Sequence, residues 1–336
     1  MKILRTDREL QMPNVDQALR DAGHELVLLP DGIAEADLAQ AVAGADLLLM
    51  CYTPITARVI DAAPRLRGIV KYGVGIDAID IPRATARGIT VVNVPDYADA
   101  TVAEAAFALM LALAKRLPAI RAEMARAGWA WPEPRWLGRD ICGASVGVVG
   151  FGHIGRRFAA MARGFGAEVI AHDPAVAPAT MERCGVRAAG TLHELLDGSD
   201  FVSLHVVLEP ATKHLIGEAE LRAMKPDACL INTARGALID EAALIRALDG
   251  GWIAGAGLDV FTHEPLAREG HALSPLFGRE NVILTPHLAF YTAEAMARLE
   301  RETLARCAEL IEGRPVRIRS HDPRLAGQVG AIYGAG

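Results

Sequence analysis

An apolar run, Ser145-Val146-Gly147-Val148-Val149, leads directly into Gly150-Phe151-Gly152-His153-Ile154-Gly155 and then into an amphipathic pattern. Few local sequences restrict a fold as much. Gly150 suits a tight turn, Gly152 carries no Cβ to obstruct a pyrophosphate, and Gly155 lets a helix approach the strand. His153 and Ile154 open that helix, where unpaired amides and a partial positive charge favour phosphate. The glycine pattern by itself is common; its place between strand and helix makes it informative. The next apolar run, Val169-Ile170-Ala171-His172, ends at Asp173. A carboxylate there can accept from both ribose hydroxyls and repel a 2′-phosphate. No Arg or Lys stands between Asp173 and Arg183 to neutralise such a phosphate, so the pattern reads as an NAD site rather than an NADP site.

Around this loop, short apolar runs alternate with helical patterns. Strands are predicted at 26–29, 46–50, 68–71, 145–149, 168–172, 201–205, 229–232, 255–258 and 282–284. Helices are predicted near 15–22, 35–42 and 57–62. Such alternation marks an α/β chain with doubly wound parallel sheets. A length of 336 residues exceeds one comfortable core and suits two domains. The pattern changes at the turn-rich Asn93-Val94-Pro95-Asp96-Tyr97, after which Thr101-Val102-Ala103-Glu104 has capping-box spacing. A helix is therefore expected from Thr101 to about Lys115, interrupted at Leu117-Pro118. The expected division is a substrate domain at 1–100, completed by 290–320, and a dinucleotide-binding domain at 101–289. A helix at 292–312 should pack back on the first domain. The Gly- and Ala-rich tail beyond Pro323 lacks periodicity and is expected to dock on a neighbour or fray.

Composition narrows the function classes. A net charge of -6 gives no electrostatic basis for binding nucleic acid or an anionic membrane. The most apolar helical run, 105–114, is far shorter than the roughly 20 residues of a membrane span. The five cysteines are scattered and form no Cys-x-x-Cys, so reduced thiols in a cytoplasmic protein are expected. Charges in the first nine residues interrupt the apolar stretch a signal peptide needs. His153, His172, His205, His214 and His263 show no metal-ligand spacing, and no metal is expected.

Three further segments each follow a predicted strand: Asn232-Thr233-Ala234-Arg235-Gly236, then Asp259 through Glu264-Pro265, then Leu284-Thr285-Pro286-His287. In an open α/β sheet such loops gather at the ligand crevice. Taken singly, an Arg after a strand is a surface ion pair and a His after Pro ends a turn. Taken in order with Lys71-Tyr72-Gly73-Val74-Gly75-Ile76-Asp77 and the glycine loop, they carry a specific likeness. From Lys71 to about Arg314 the chain resembles the D-isomer-specific 2-hydroxyacid dehydrogenase family. Asn93-Val94-Pro95-Asp96-Tyr97, Trp129-Ala130-Trp131 and Phe290-Tyr291 look most like the subgroup named for the C-terminal-binding protein.

The resemblance implies a Rossmann NAD domain, a flavodoxin-like substrate domain, a homodimer, and hydride transfer between NAD(H) and C2 of a small 2-hydroxy or 2-oxo acid of the D series. It implies Arg235 as the fork for the substrate carboxylate and carbonyl, His287 as acid and base, and Glu264 as its partner. Tyr52 and the backbone at Gly73, Val74 and Gly75 are expected at the substrate. Val206, Val207, Thr212, Thr233, Ala234 and Asp259 are expected to border the cofactor, together with Val74, Arg235, His287 and the glycine loop. Val207 and Glu209 stand where the family usually has proline and threonine, which alters that loop's contacts. The bulky Phe290 and Tyr291 should narrow the substrate end. An NAD(H)-responsive corepressor-like module is the alternative, without a separate peptide-binding motif to support it. A phosphorylated-substrate dehydrogenase of serine synthesis is disfavoured, since no extra C-terminal regulatory domain and no basic cluster near Tyr52-Thr53-Pro54 is expected.

Overall fold

The computed structural model describes residues 1–320 and 322–334; Ala335 and Gly336 of the tail lie outside them. Two compact units emerge, one from Met1–Ala98 together with the chain from Thr292 onward, the other from Asp99–Tyr291. The first contains five parallel strands: β1 (Lys2–Arg5), β2 (Glu25–Leu28), β3 (Leu47–Met50), β4 (Gly68–Lys71) and β5 (Thr90–Asn93). Their spatial order, β2-β1-β3-β4-β5, is that of a flavodoxin-like sheet. The last three are buried along their whole length, and in β3 and β4 this goes with nearly continuous apolar sequence. Helix Ala293–Ile311 is capped by Thr292, whose hydroxyl accepts from the Ala295 amide at 3.2 Å. Its last turn settles on β4 because Gly68 has no Cβ; one there would lie 2.7 Å from Leu310 Cδ1.

The second unit holds seven parallel strands: β6 (Ser145–Val149), β7 (Glu168–His172), β8 (Arg187–Ala188), β9 (Phe201–Leu204), β10 (Cys229–Asn232), β11 (Gly255–Leu258) and β12 (Val282–Leu284). They lie in the order β12-β11-β10-β9-β6-β7-β8, so winding reverses between β6 and β9, as in a Rossmann sheet. One face is covered by Phe107, Met110 and Phe158, the other by Leu195, Leu221 and Leu244, all buried. Helix Asp99–Ala114 comes close to the sheet at Gly257, where a Cβ would meet Leu109 Cβ at 3.2 Å.

Two local expectations need correction. The helix begins at Asp99, so Thr101 is buried inside its first turn and is not its cap. An acidic residue at the first helical position suits the positive end of the helix. The tail docks on its own unit: strands Val316–Ile318 and Ala331–Tyr333 pair in parallel. Gln328 both accepts from the Val91 amide at 2.6 Å and donates to the Val91 carbonyl at 2.8 Å. A side-chain amide that completes a β5 backbone pair carries no periodicity to read. Pro118 starts a new helix, Leu117–Ala127, at a position where its missing N–H is harmless. Among the described residues no helix is long and apolar enough to cross a membrane.

Candidate active site

Gly150, at φ +91°, holds a left-handed turn, and a Cβ there would lie 2.7 Å from the His205 carbonyl. A Cβ on Gly155 would come within 2.1 Å of the Gly150 carbonyl, so helix His153–Gly164 can start only where that residue is glycine. Gly152 is different: nothing lies within 4 Å of a Cβ built on it, and the space before the helix N-terminus is open. His153 and Ile154 occupy the first turn, where amides lack intrahelical partners; the His153 ring lies 3.3 Å from Asp99. Asp173 follows β7 and is tied to the glycine loop, accepting from the Phe151 amide at 2.8 Å and from Ala175 at 2.9 Å.

The loop after β9 is fastened by Thr212, which donates to the Val207 carbonyl at 2.7 Å and accepts from the Glu209 amide at 2.8 Å. Val206 is half-buried and Val207 exposed. His205 at its start is enclosed, and burial pushes its imidazole down to about 3, so it stays neutral. After β10, the Thr233 hydroxyl is buried without a hydrogen-bond partner among the described residues. The open cradle at Gly152 and this orphaned hydroxyl are the features a dinucleotide would fill.

Arg235 owes its position to Asn232, a fully buried residue at the end of β10. The Asn232 amide accepts from Ala234 N at 3.0 Å and donates to the Arg235 carbonyl at 2.9 Å. Arg235 is half-buried, with Nη1 donating to the Ala234 carbonyl at 2.7 Å. Gly236 lets this loop touch the next one: a Cβ there would lie 2.0 Å from the Phe261 carbonyl carbon.

Glu264 faces two ways. One oxygen accepts from the Phe261 amide at 2.9 Å and the other meets His287 Nδ1 at 2.8 Å. Burial alone would raise the carboxyl; the hydrogen bond and charge of His287 outweigh it and hold Glu264 below the usual carboxylate range. His287 itself has a left-handed backbone, φ 54°, a conformation that costs about 1–3 kcal/mol for a non-glycine residue. Asp259 supports it. The His287 amide donates to the Asp259 carbonyl at 2.8 Å, and the Asp259 carboxylate receives Thr285 Oγ1 at 2.6 Å, Leu288 N at 3.0 Å and Ala289 N at 2.9 Å. Asp259, expected to border the cofactor, thus spends both oxygens on the His287 loop. Phe290 is buried with its ring edge-on to His287, centroids 6.3 Å apart, and Tyr291 is half exposed.

In the first unit, Gly73 has φ +152° and its carbonyl accepts from Val94 N at 3.1 Å, while Asn93 Nδ2 donates to the Val74 carbonyl at 2.6 Å. Those bonds fix the Gly73–Val74–Gly75 backbone. Tyr52 lies on a loop gathered around Asp7, whose carboxylate receives the amides of Cys51 at 2.7 Å, Tyr52 at 3.1 Å and Thr53 at 3.0 Å. The buried Lys71 ammonium donates to the Cys51 carbonyl and lies 5.5 Å from the Tyr52 ring centroid. This single buried lysine beside Tyr52 is committed to a backbone carbonyl and is not a basic cluster. Asn232, Gly236, Asp7 and Lys71 were not singled out from sequence as shaping these loops; only the Asn before Thr233 and the Gly after Arg235 offered a signal.

Comparison with known proteins identifies relatives of the chain. Residues 107–289 match the family described as D-isomer specific 2-hydroxyacid dehydrogenase, NAD binding domain. A glyoxylate reductase of Korarchaeum cryptofilum is 43% identical over 265 residues, 78% of each chain. The D-lactate dehydrogenase of Aquifex aeolicus, solved with NAD and lactic acid, superimposes with a TM-score of 0.82 at 31% identity, covering 93% of this chain and 96% of its own. An acyclic imino acid reductase solved with NADPH and D-arginine gives 0.82 at 30%, covering 93% and 97%.

Proposed function

The chain belongs to the D-isomer-specific 2-hydroxyacid dehydrogenase family, an NAD-linked oxidoreductase of 2-hydroxy and 2-oxo acids, and we propose that Arg235, Glu264 and His287 perform its chemistry on a small, unphosphorylated 2-oxo acid. The observation that carries this reading is the 2.8 Å pairing of His287 Nδ1 with Glu264. With Nδ1 held by the carboxylate, Nε2 is the nitrogen left to protonate the ketone oxygen in reduction or take the hydroxyl proton in oxidation. Glu264 stabilises the imidazolium and fixes the ring. Arg235 binds the carboxylate and draws charge from the carbonyl. NADH, when bound, would supply the hydride for C2. The glycine loop, Asp173 and Thr233 would hold the dinucleotide; Asp259 supports His287 from behind. The amides of Gly73, Val74 and Gly75, with Tyr52, are assigned to the substrate by family order.

We further assign a homodimer. Leu117, Trp129, Trp131 and Leu137 are all more than half exposed, an apolar group of the kind that marks an interface. The five cysteines are free, which supports a reducing, cytoplasmic setting. The reductase relatives favour an enzyme over the corepressor-like alternative. A panel of 2-oxo acids, glyoxylate first, assayed with NADH tests the reading. Reduction of at least one is expected; NADH binding with no reduction of any would overturn it.

A further inference from the structure

We propose that the tail at 322–333 is a brace for the loop at 73–77, with Gln328 and Arg324 as positioning residues for substrate, given the reading above in which the amides of Gly73, Val74 and Gly75 hold the substrate carboxylate. That loop lies in neither helix nor strand, so no ladder of its own fixes those amides. It is held from β5 instead. The Val94 amide donates to the Gly73 carbonyl at 3.1 Å, and Asn93 Nδ2 donates to the Val74 carbonyl at 2.6 Å. A shift at the end of β5 is therefore a shift of the loop.

Strand β5 is the outer strand of its sheet, with β4 on one side only and Asn93 opposite Lys71. The outward amides and carbonyls of an edge strand have no neighbouring strand to pair with. The tail supplies that side. Buried Gln328 accepts from the Val91 amide at 2.6 Å and donates to the Val91 carbonyl at 2.8 Å. Its Nε2 also donates to the carbonyl of the fully buried Leu325 at 3.1 Å, and the Thr90 hydroxyl donates to the Val329 carbonyl at 3.0 Å. One side-chain amide thus does for Val91 what a sixth strand would do, two residues before Asn93.

The tail also reaches the far end of the loop. Arg324 directs Nη1 and Nη2 at Asp77 Oδ1, each at 3.4 Å, while Nη2 meets Asp322 at 2.6 Å. Asp322 caps the short helix Pro323–Leu325 by accepting from the Arg324 amide at 2.9 Å. The Arg324–Asp77 contact is long and partly exposed, so it counts for less than the buried bonds of Gln328. Its place is what matters. Contact at Asp77 directly, and at Gly73 and Val74 through β5, brackets the three substrate amides. A tail that only closed the sheet edge would need the first contact and not the second. Small misplacements of binding groups, even when caused far from the reacting atoms, are costly.

Hydrogen–deuterium exchange and steady-state kinetics of the full-length chain test the brace. Gln328→Met keeps the volume and removes all three bonds of the amide. Exchange should quicken in peptides covering 73–79 and stay unchanged in those covering the glycine loop at 150–155. KM for the 2-oxo acid should rise about threefold to tenfold, within the range by which residues outside a site modulate it, with NADH affinity within about twofold of wild type. Arg324→Gln, on a partly exposed side chain, should give the same pattern at about twofold to threefold, and it carries the test should Gln328→Met not fold. A lower Tm with exchange at 73–79 and KM both unchanged means that the tail only stabilises its unit, and overturns the proposal. A rise in KM matched by an equal loss of NADH affinity marks general damage and overturns it too. If the wild-type chain reduces no 2-oxo acid, the proposed function falls separately, and exchange at 73–79 alone decides the brace.

Discussion

Glu264 uses its two oxygens differently, one on its own loop and one on the imidazole of His287, and substitutions separate those tasks. His287→Ala should lower turnover about 10²–10⁴-fold, the usual worth of a positioned acid–base group, while NADH affinity by fluorescence titration stays near wild type. Arg235→Ala should damage KM and kcat together, because it removes the main charge partner of the substrate carboxylate. If His287→Ala turns over like wild type, the acid–base assignment fails. Glu264→Gln keeps shape and loses charge. The imidazole then loses its carboxylate partner, so kcat for reduction should fall while NADH affinity stays near wild type; an unchanged kcat would remove Glu264 from this role. The same carboxyl has a stability consequence with a definite sign. Its folded pKa is depressed by His287, so its contribution is present above the ordinary carboxylate titration and is lost as pH falls through the folded value. Acid unfolding of Glu264→Gln should accordingly show a weaker pH dependence than wild type over that acidic range.

At the level of elements, loops are set by residues that permit close approach. Gly236→Ala forces a Cβ against the Phe261 backbone and should destabilise the fold by about 1–3 kcal/mol in denaturant titration, as overpacking does. A value near zero would mean the two loops yield freely. Asp173 ends β7 with no cation after it before Arg183, so kcat/KM should be higher with NADH than with NADPH; parity would refute the ribose role. Most of the second sheet was legible because buried parallel strands are continuous apolar runs, and the predicted bounds of β6, β7, β10, β11 and β12 match those observed. Strands β1 and β5 escaped for a physical reason. Lys2 and Arg5 flank only two apolar residues, and Thr90 and Asn93 flank two valines, so neither shows a run. Their polar ends are satisfied by distant partners: Arg5 by Asp16 at 2.9 Å, Thr90 by the Val329 carbonyl at 3.0 Å. Arg235, Glu264 and His287 could be picked out by motif order. The support from Asn232, Asp259 and Asp7 could not, since an Asp7–Thr53 bond appears only once β1 and β3 are adjacent.

For the whole molecule, the exposed Trp129, Trp131 and Leu137 predict self-association. Light scattering at micromolar concentration should give twice the 35.8 kDa chain mass, and Trp131→Glu should shift it toward monomer; a wild-type monomer would refute the dimer. The two units differ in how the chain supplies them. Asp99–Tyr291 is one uninterrupted stretch, whereas the other unit needs helix Ala293–Ile311 and the Gln328 clip on Val91 to complete what Met1 began. On a ribosome, this reverses the usual order in which the N-terminal part matures first. Residues 1–98 must wait, with β4 uncovered where Leu310 will later sit, until the chain from Thr292 onward has emerged. The middle of the chain can fold meanwhile. Nascent chains arrested shortly after Tyr291 should therefore show protease resistance in residues 99–291 and digestion of residues 1–98, and chaperones that shield apolar strands should act on residues 1–98 for longer than on 99–291.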